Sequence, residues 1–239
     1  MYVNSTDYDN RIKQYKTNQG PILSAILDIN KPYLDISADD FLLLFRTLSG
    51  KTDTATAEGL DALTIYFAVY GPATDPDTPD GFAGKFTYVF SGGKQTSDDP
   101  VKARDSGFYY NIVPGGGFDP QESAISKATF TKWTGIWQGT FLPQLPAASP
   151  GDTKSVTYIW KDLVGMVTEI MCQVAAVVRI YLVSYMGGEK FPKQLTTHFS
   201  LLDGAGSPIP MDNGCRPRKL MGGDGLDTGS PCPPAGTCP

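Results

Sequence analysis

The chain has 239 residues, of which 19% are charged, and a formal net charge of −5. That length can bury a full core in one domain or two, and an acidic balance without a basic stripe excludes an electrostatic footprint for nucleic acid. With 26 Gly, 19 Pro and 11% aromatics, the chain reads as loop-rich and aromatic-rich.

From Ser5 to Lys16, the spacing of Tyr8, Ile12 and Tyr15 predicts a short amphipathic helix with Ser5 or Thr6 as N-cap. The segment before it has neither a basic n-region nor an apolar h-region, so no secretory signal is expected; the cytoplasm is the default location, and an extracellular one by a non-classical route stays open. Residues Ile22 to Ile29 alternate loosely and read as a strand ended by Asn30-Lys-Pro32. Ser37-Ala-Asp-Asp40 has capping-box spacing, and Phe41, Leu44, Phe45 and Leu48 then mark a helix that stops at Ser49-Gly50.

A strand is expected at Leu63–Tyr70, a loop at Gly71–Gly81, and a returning strand at Lys85–Phe90 closed by Gly92-Gly93. Residues 95–118, low in periodicity, read as a connection. Asp119-Pro-Gln-Glu122 signals a helix start, followed by Phe130, Trp133 and Trp137 on one face. Then come a strand at Val156–Trp160, a helical stripe through Leu163, Val167, Ile170 and Val174, and strands at Val178–Tyr185 and Leu195–Leu201. Glu169 and Arg179 interrupt the apolar run from Leu163 to Met186, and its two periodicities argue against a membrane span.

Two of these strands align without a gap, matching Ile65 with Ile180, Tyr66 with Tyr181 and Tyr70 with Tyr185. The order of elements around them is also shared. We therefore expect an α+β fold built from two similar helix/strand/helix/β-hairpin units, 1–94 and 119–208, with antiparallel sheets backed by helices and an irregular tail at 209–239. Period-2 geometry puts Tyr66 and Tyr70 on one face, and likewise Tyr181 and Tyr185. These four are the candidate interface residues, either covering a half-exposed surface or offering an aromatic platform to a ligand or subunit.

A short N-terminal helix, a capped helix, the Ile65-Tyr-Phe67 strand and its return, with the Cys232-Pro-Pro234 tail, resemble an uncharacterised group of Bacteroidota proteins. The resemblance implies no activity, and in this chain the unit occurs twice.

Recognisable chemistry is sparse. His198 is the only histidine, so multi-histidine metal sites are ruled out, and no nucleophile elbow accompanies it. Gly50-Lys-Thr52 ends a helix where a phosphate loop must begin one. Gly223-Asp-Gly225 lacks the strand-to-helix turn of a dinucleotide site. Asp105-Ser-Gly107 and Asp227-Thr-Gly-Ser230 match only the shortest motif of paired-aspartate proteases. Asp75, Asp77 and Asp80 precede Gly81 in an arrangement near a calcium loop, although Pro79 occupies a ligand position and no bidentate Glu follows. They are the metal candidates, and no cofactor is expected.

Cys172 falls on a predicted helix as a buried small hydrophobe. Cys215, Cys232 and Cys238 are disulfide candidates in the tail; one pair plus an odd thiol, three zinc thiolates, and reduced cysteines all remain open. The expected function is a non-catalytic structural or interaction protein, self-assembling through sheet faces and the tail, with another copy or another protein as partner. The alternative is a small-molecule or metal-binding domain, including a hydrolase that uses loop aspartates.

Overall fold

The computed structural model describes residues 2–3, 5–53, 58–95, 103–146, 153–172, 175–186, 193–209, 225–226 and 230–232. Strand β1 (Tyr2–Val3) leads into helix α1 (Ser5–Asn18) and the short α2 (Gly20–Leu23). The strand expected at residues 22–29 is absent. Pro21 in the first turn of α2 pre-sets a helical φ, and a run of turns follows. The strand forms instead beyond Pro32, as β2 (Tyr33–Ser37), where burial alternates residue by residue. Helix α3 (Ala38–Ser49) is capped as expected, with the Asp40 amide donating to Ser37 Oγ at 3.0 Å.

Strands β3 (Ala62–Val69) and β4 (Phe86–Gln95) form the first hairpin. Gly92 does not close β4. The strand runs through it with a register shift between Ser91 and Gly93, at a point where a Cβ on Gly92 would collide with the Leu60 side chain. The supposed connection contributes β5 (Ala103–Asn111), followed by β6 (Ala124–Ile125). Asp119 does not start a helix. Its carboxylate accepts from the amides of Gln121 and Glu122 to close a turn, and α4 (Lys127–Ile136) begins after Ser126, whose Oγ accepts from the Thr129 amide. The second half continues with β7 (Ser155–Ile159), α5 (Trp160–Cys172), β8 (Val177–Ser184) and β9 (Leu195–Leu202). Short strands β10 (Pro208–Ile209), β11 (Gly225–Leu226) and β12 (Ser230–Cys232) complete it.

The elements make an α+β fold with two antiparallel sheets, ordered β1-β11-β9-β8-β2 with β10 also on β9, and β12-β7-β3-β4-β5-β6. Each sheet takes strands from both halves of the chain. Strand β2 lies against β8, pairing Tyr33 with Tyr181 and Leu34 with Ile180, while β7 lies against β3, pairing Ser155 with Tyr66 and Val156 with Ile65.

The two exchanges obey one register. When Tyr66 is matched to Tyr181 and Ser155 to Tyr33, the flanking hydrogen bonds coincide as well. Ala38 N–H donates to Ala176 O at 2.9 Å, as Trp160 N–H does to Asp61 O at 2.9 Å. Leu182 N–H reaches Pro32 O at 2.7 Å, as Phe67 N–H reaches Lys154 O at 3.0 Å. Tyr185 N–H donates to Gln194 O and Tyr70 N–H to Lys85 O, both at 2.9 Å. The halves thus repeat one strand arrangement, each lending the strand before its central helix to the other's sheet.

One core cluster takes side chains from both sheets and from α3 and α5. A smaller cluster lies between α4 and the opposite face of β3, β4 and β5. The central strands are therefore covered on both faces, and every residue of β3 and β9 is buried. Among the described residues no helix is long and apolar enough to cross a membrane.

Candidate functional site

The repeated tyrosines lie under helices. In the first copy, Phe130 of α4 meets Tyr66 edge-on at 4.8 Å and Trp133 meets Tyr70 at 4.9 Å, geometries favoured by the ring quadrupoles. Tyr109 stacks on Phe130 at 4.0 Å and completes the cluster. In the second copy Tyr8 of α1 meets Tyr181 at 5.1 Å, and the Arg11 guanidinium sits 5.0 Å over the Tyr185 ring. Tyr66 and Tyr70 are buried, and Tyr181 and Tyr185 are half-buried. Burial pushes the Tyr66 phenol well above its usual range.

Tyr70 also carries a buried polar network. Its hydroxyl donates to Asn111 Oδ1 at 2.9 Å and accepts from Thr87 Oγ1 at 3.1 Å. Asn111 Nδ2 donates both to Thr87 Oγ1 and to the Tyr88 carbonyl. Burial raises the Tyr70 phenol, and the bonds from Thr87 and to Asn111 pull the other way. Nearby, Tyr109 donates its hydroxyl to Asp105 Oδ2 at 2.5 Å, and Ser91 Oγ donates to Oδ1 of the same carboxylate.

His198 is packed between Tyr8 and Tyr181 on β9, 1% exposed, with ring centroids 4.8 and 6.4 Å away. Its Nδ1 has no hydrogen-bond partner among the described residues. Burial first, and the Arg11 charge second, push its pKa down to about 3, so the imidazole is neutral over the ordinary pH range.

Two of the calcium candidates are bonded to α4. Asp75 accepts from Lys132 Nζ at 2.6 Å and, at 3.4 Å, from Trp133 Nε1–H. Asp77 accepts from Thr129 Oγ1 at 2.8 Å and from Lys132 Nζ at 3.2 Å. Both carboxylates thus fasten the loop after β3 to α4, while Asp80 is exposed. The Lys132 ammonium holds the Asp75 carboxyl below its usual range against the opposing effect of burial. Among the described residues no three His, Cys, Asp or Glu side chains converge on a metal position.

One cluster is foreshadowed in the sequence. Arg179 is a charged residue in an otherwise apolar strand, and such a residue needs a partner. It makes a two-point pair with Asp35 on β2, at 2.6 and 2.8 Å, and lies 3.8 Å from the Tyr33 ring centre. At the matching place in the other sheet, Thr64 and Thr157 share a buried hydrogen bond of 3.0 Å. Lys132 carried no comparable signal, because a lysine on a helix flank is ordinarily solvated.

Cys232 falls on β12, opposite Ser155. Cys215 and Cys238 lie outside the described residues, as does the side chain of Cys172. Compared with protein-family models, curated proteins and solved structures, the chain matches none.

Proposed function

We propose that the chain is a non-catalytic structural or interaction protein. One observation carries this reading: the groups that acid–base or metal chemistry would use are committed to holding helices on sheets. His198 is sealed beneath α1, and Asp75 and Asp77 are bonded to Lys132 and Thr129 of α4. With the sheet faces beneath α1 and α4, contact with a second copy falls to the helices that remain open.

The large apolar side chains exposed among the described residues are Leu43 on α3 and Val164 and Met171 on α5. Val164, the half-buried Val167 and Met171 lie at i, i+3 and i+7 along one flank of α5. We assign self-association to this flank. The test is sedimentation velocity across a wide concentration range, on the full chain and on a Val164→Glu/Met171→Glu double variant. Association of the parent and its loss in the variant support the reading. A parent that stays monomeric at high concentration overturns self-association.

A further inference from the structure

The two exchanged strands, β2 and β7, are alike in position and unlike in what covers their outer edges. In the second sheet β7 lies between β3 and β12. Phe67 N–H bonds Lys154 O and Trp160 N–H bonds Asp61 O, so by antiparallel alternation Val156 and Tyr158 turn their backbone groups to β3. Ser155 and Thr157 turn theirs outwards, where Cys232 and Ser230 lie opposite. Pro231, which has no N–H to donate, falls opposite Val156, where none is needed.

The matching strand β2 ends the first sheet. Leu182 N–H bonds Pro32 O and Ala38 N–H bonds Ala176 O, so Leu34 and Ile36 face β8, and the backbone groups of Tyr33, Asp35 and Ser37 face outwards. The Tyr33 amide turns back to Lys31 O. Among the described residues nothing bonds the backbone N–H or C=O of Asp35 on this side, whereas the same stretch of β7 carries β12. Asp35 and Ser37 are exposed. The edge thus offers the Tyr33 carbonyl, both backbone groups of Asp35 and the Ser37 amide, the set that a five-residue antiparallel strand centred on Asp35 would satisfy.

Side chains select the occupant. Leu34 and Ile36 are buried on the core face, and Asp35 stands on the opposite one. The Asp35 side chain is 42% exposed against 21% for its partner Arg179, which lies one strand further in, so the carboxylate is the charge nearest an added strand. Two copies of β2 paired about Asp35 would set carboxylate opposite carboxylate, which disfavours a second copy here. A basic residue at that place is attracted instead.

We propose that the outer edge of β2 is a docking site for an extended segment of a partner protein, added antiparallel, with Lys or Arg opposite Asp35 and apolar, β-branched residues opposite Leu34 and Ile36. This names a partner for the interaction protein inferred above, yet it rests on a different element from the α5 flank. A chain that stays monomeric would still bind, and failure to bind leaves self-association untouched.

The test uses the full chain and, as probe, an acetylated and amidated peptide Gly-Ser-Thr-Val-Lys-Val-Thr-Ser-Gly, followed by amide NMR. Binding shifts the Asp35 and Ser37 amide signals in a saturable way and slows hydrogen exchange at Asp35. Methylating the backbone nitrogen of the peptide's Lys, which would donate to the Asp35 carbonyl, abolishes binding without any change to the protein. Glu in place of that Lys weakens it by about 2- to 5-fold, and Asp35→Asn removes the preference between the two peptides. Absence of saturable shifts at millimolar peptide, or equal binding of the methylated peptide, overturns the proposal. So does an Asp35 amide already protected in the free chain, which would mean that the chain's own tail or a second copy holds the edge.

Discussion

The indole ring of Trp133 stands edge-on to the ring of Tyr70, with centroids 4.9 Å apart and planes at 77°. Through this contact α4 is seated on the second sheet, and Trp133 is only 1% exposed. Replacing it with Ala removes a large buried aromatic and leaves a void that the rigid strands beneath cannot fill. We expect Trp133→Ala to cost about 3–5 kcal/mol of stability, measured by urea unfolding. A loss below 1 kcal/mol would mean that α4 is not held there.

The Tyr70–Asn111–Thr87 network is fully buried, so removing one member strands the others. Asn111→Ala leaves the Tyr70 hydroxyl without its acceptor and the Tyr88 carbonyl without its side-chain donor. The expected cost is about 1–3 kcal/mol. In a double-mutant cycle with Tyr70→Phe, the two losses should be non-additive; strict additivity would show that the groups do not act together.

Loop 71–84 depends on Asp75. Its carboxylate sits so close to Gly71 that a Cβ there would overlap Oδ2. Gly71→Ala and Asp75→Asn should therefore free the loop in the same way, seen as faster amide hydrogen exchange across residues 71–84 in both. Because Lys132 lowers the folded pKa of Asp75, its contribution is present above the unfolded carboxylate value near 4 and is lost as pH falls through the folded pKa. Exchange in the loop should accelerate on that side, and a flat response would dismiss the clamp.

His198 should make the protein acid-sensitive well above the carboxylate range. Its folded pKa is about 3, against roughly 6.5 when unfolded. Between those values the unfolded chain binds a proton that the folded one does not. Stability is complete above pH 6.5 and then falls by up to about 1.4 kcal/mol per pH unit as the pH drops. His198→Gln should abolish that part of the slope between pH 6.5 and 5. Parallel stability curves for parent and variant would refute this.

The exchange of β2 and β7 predicts that neither half is a folding unit. If the chain is divided between Gln95 and Ala103, each fragment lacks the neighbour of its own strand, since β2 pairs with β8 and β7 with β3. Each fragment alone should melt without cooperativity, and mixing them should restore a cooperative transition by circular dichroism. Independent cooperative folding of the first fragment would contradict the interleaving.

Much of the fold was legible in local chemistry. The Ser37 cap, the two hairpins and the two-copy order follow from capping, period-2 alternation and shared Ile-Tyr motifs, which depend on neighbours a few residues away. Misreadings occurred where local signals compete. Pro21 opened a helical turn in a loosely alternating run, Asp119 capped a turn instead of a helix, and Phe108-Tyr-Tyr110 joined the sheet within a segment of weak periodicity.

The sequence by itself determined an α+β order of helices and strands and that Tyr66 and Tyr70, like Tyr181 and Tyr185, share a face. Only the tertiary structure decided what meets those faces, which sheet each β2-type strand enters, and that Asp75 is bonded to Lys132. The physical reason is range. Capping and alternation are properties of a short stretch of backbone, whereas strand partners and buried ion pairs are chosen by whichever distant segment completes the hydrogen bonds and covers the apolar surface once the chain has collapsed.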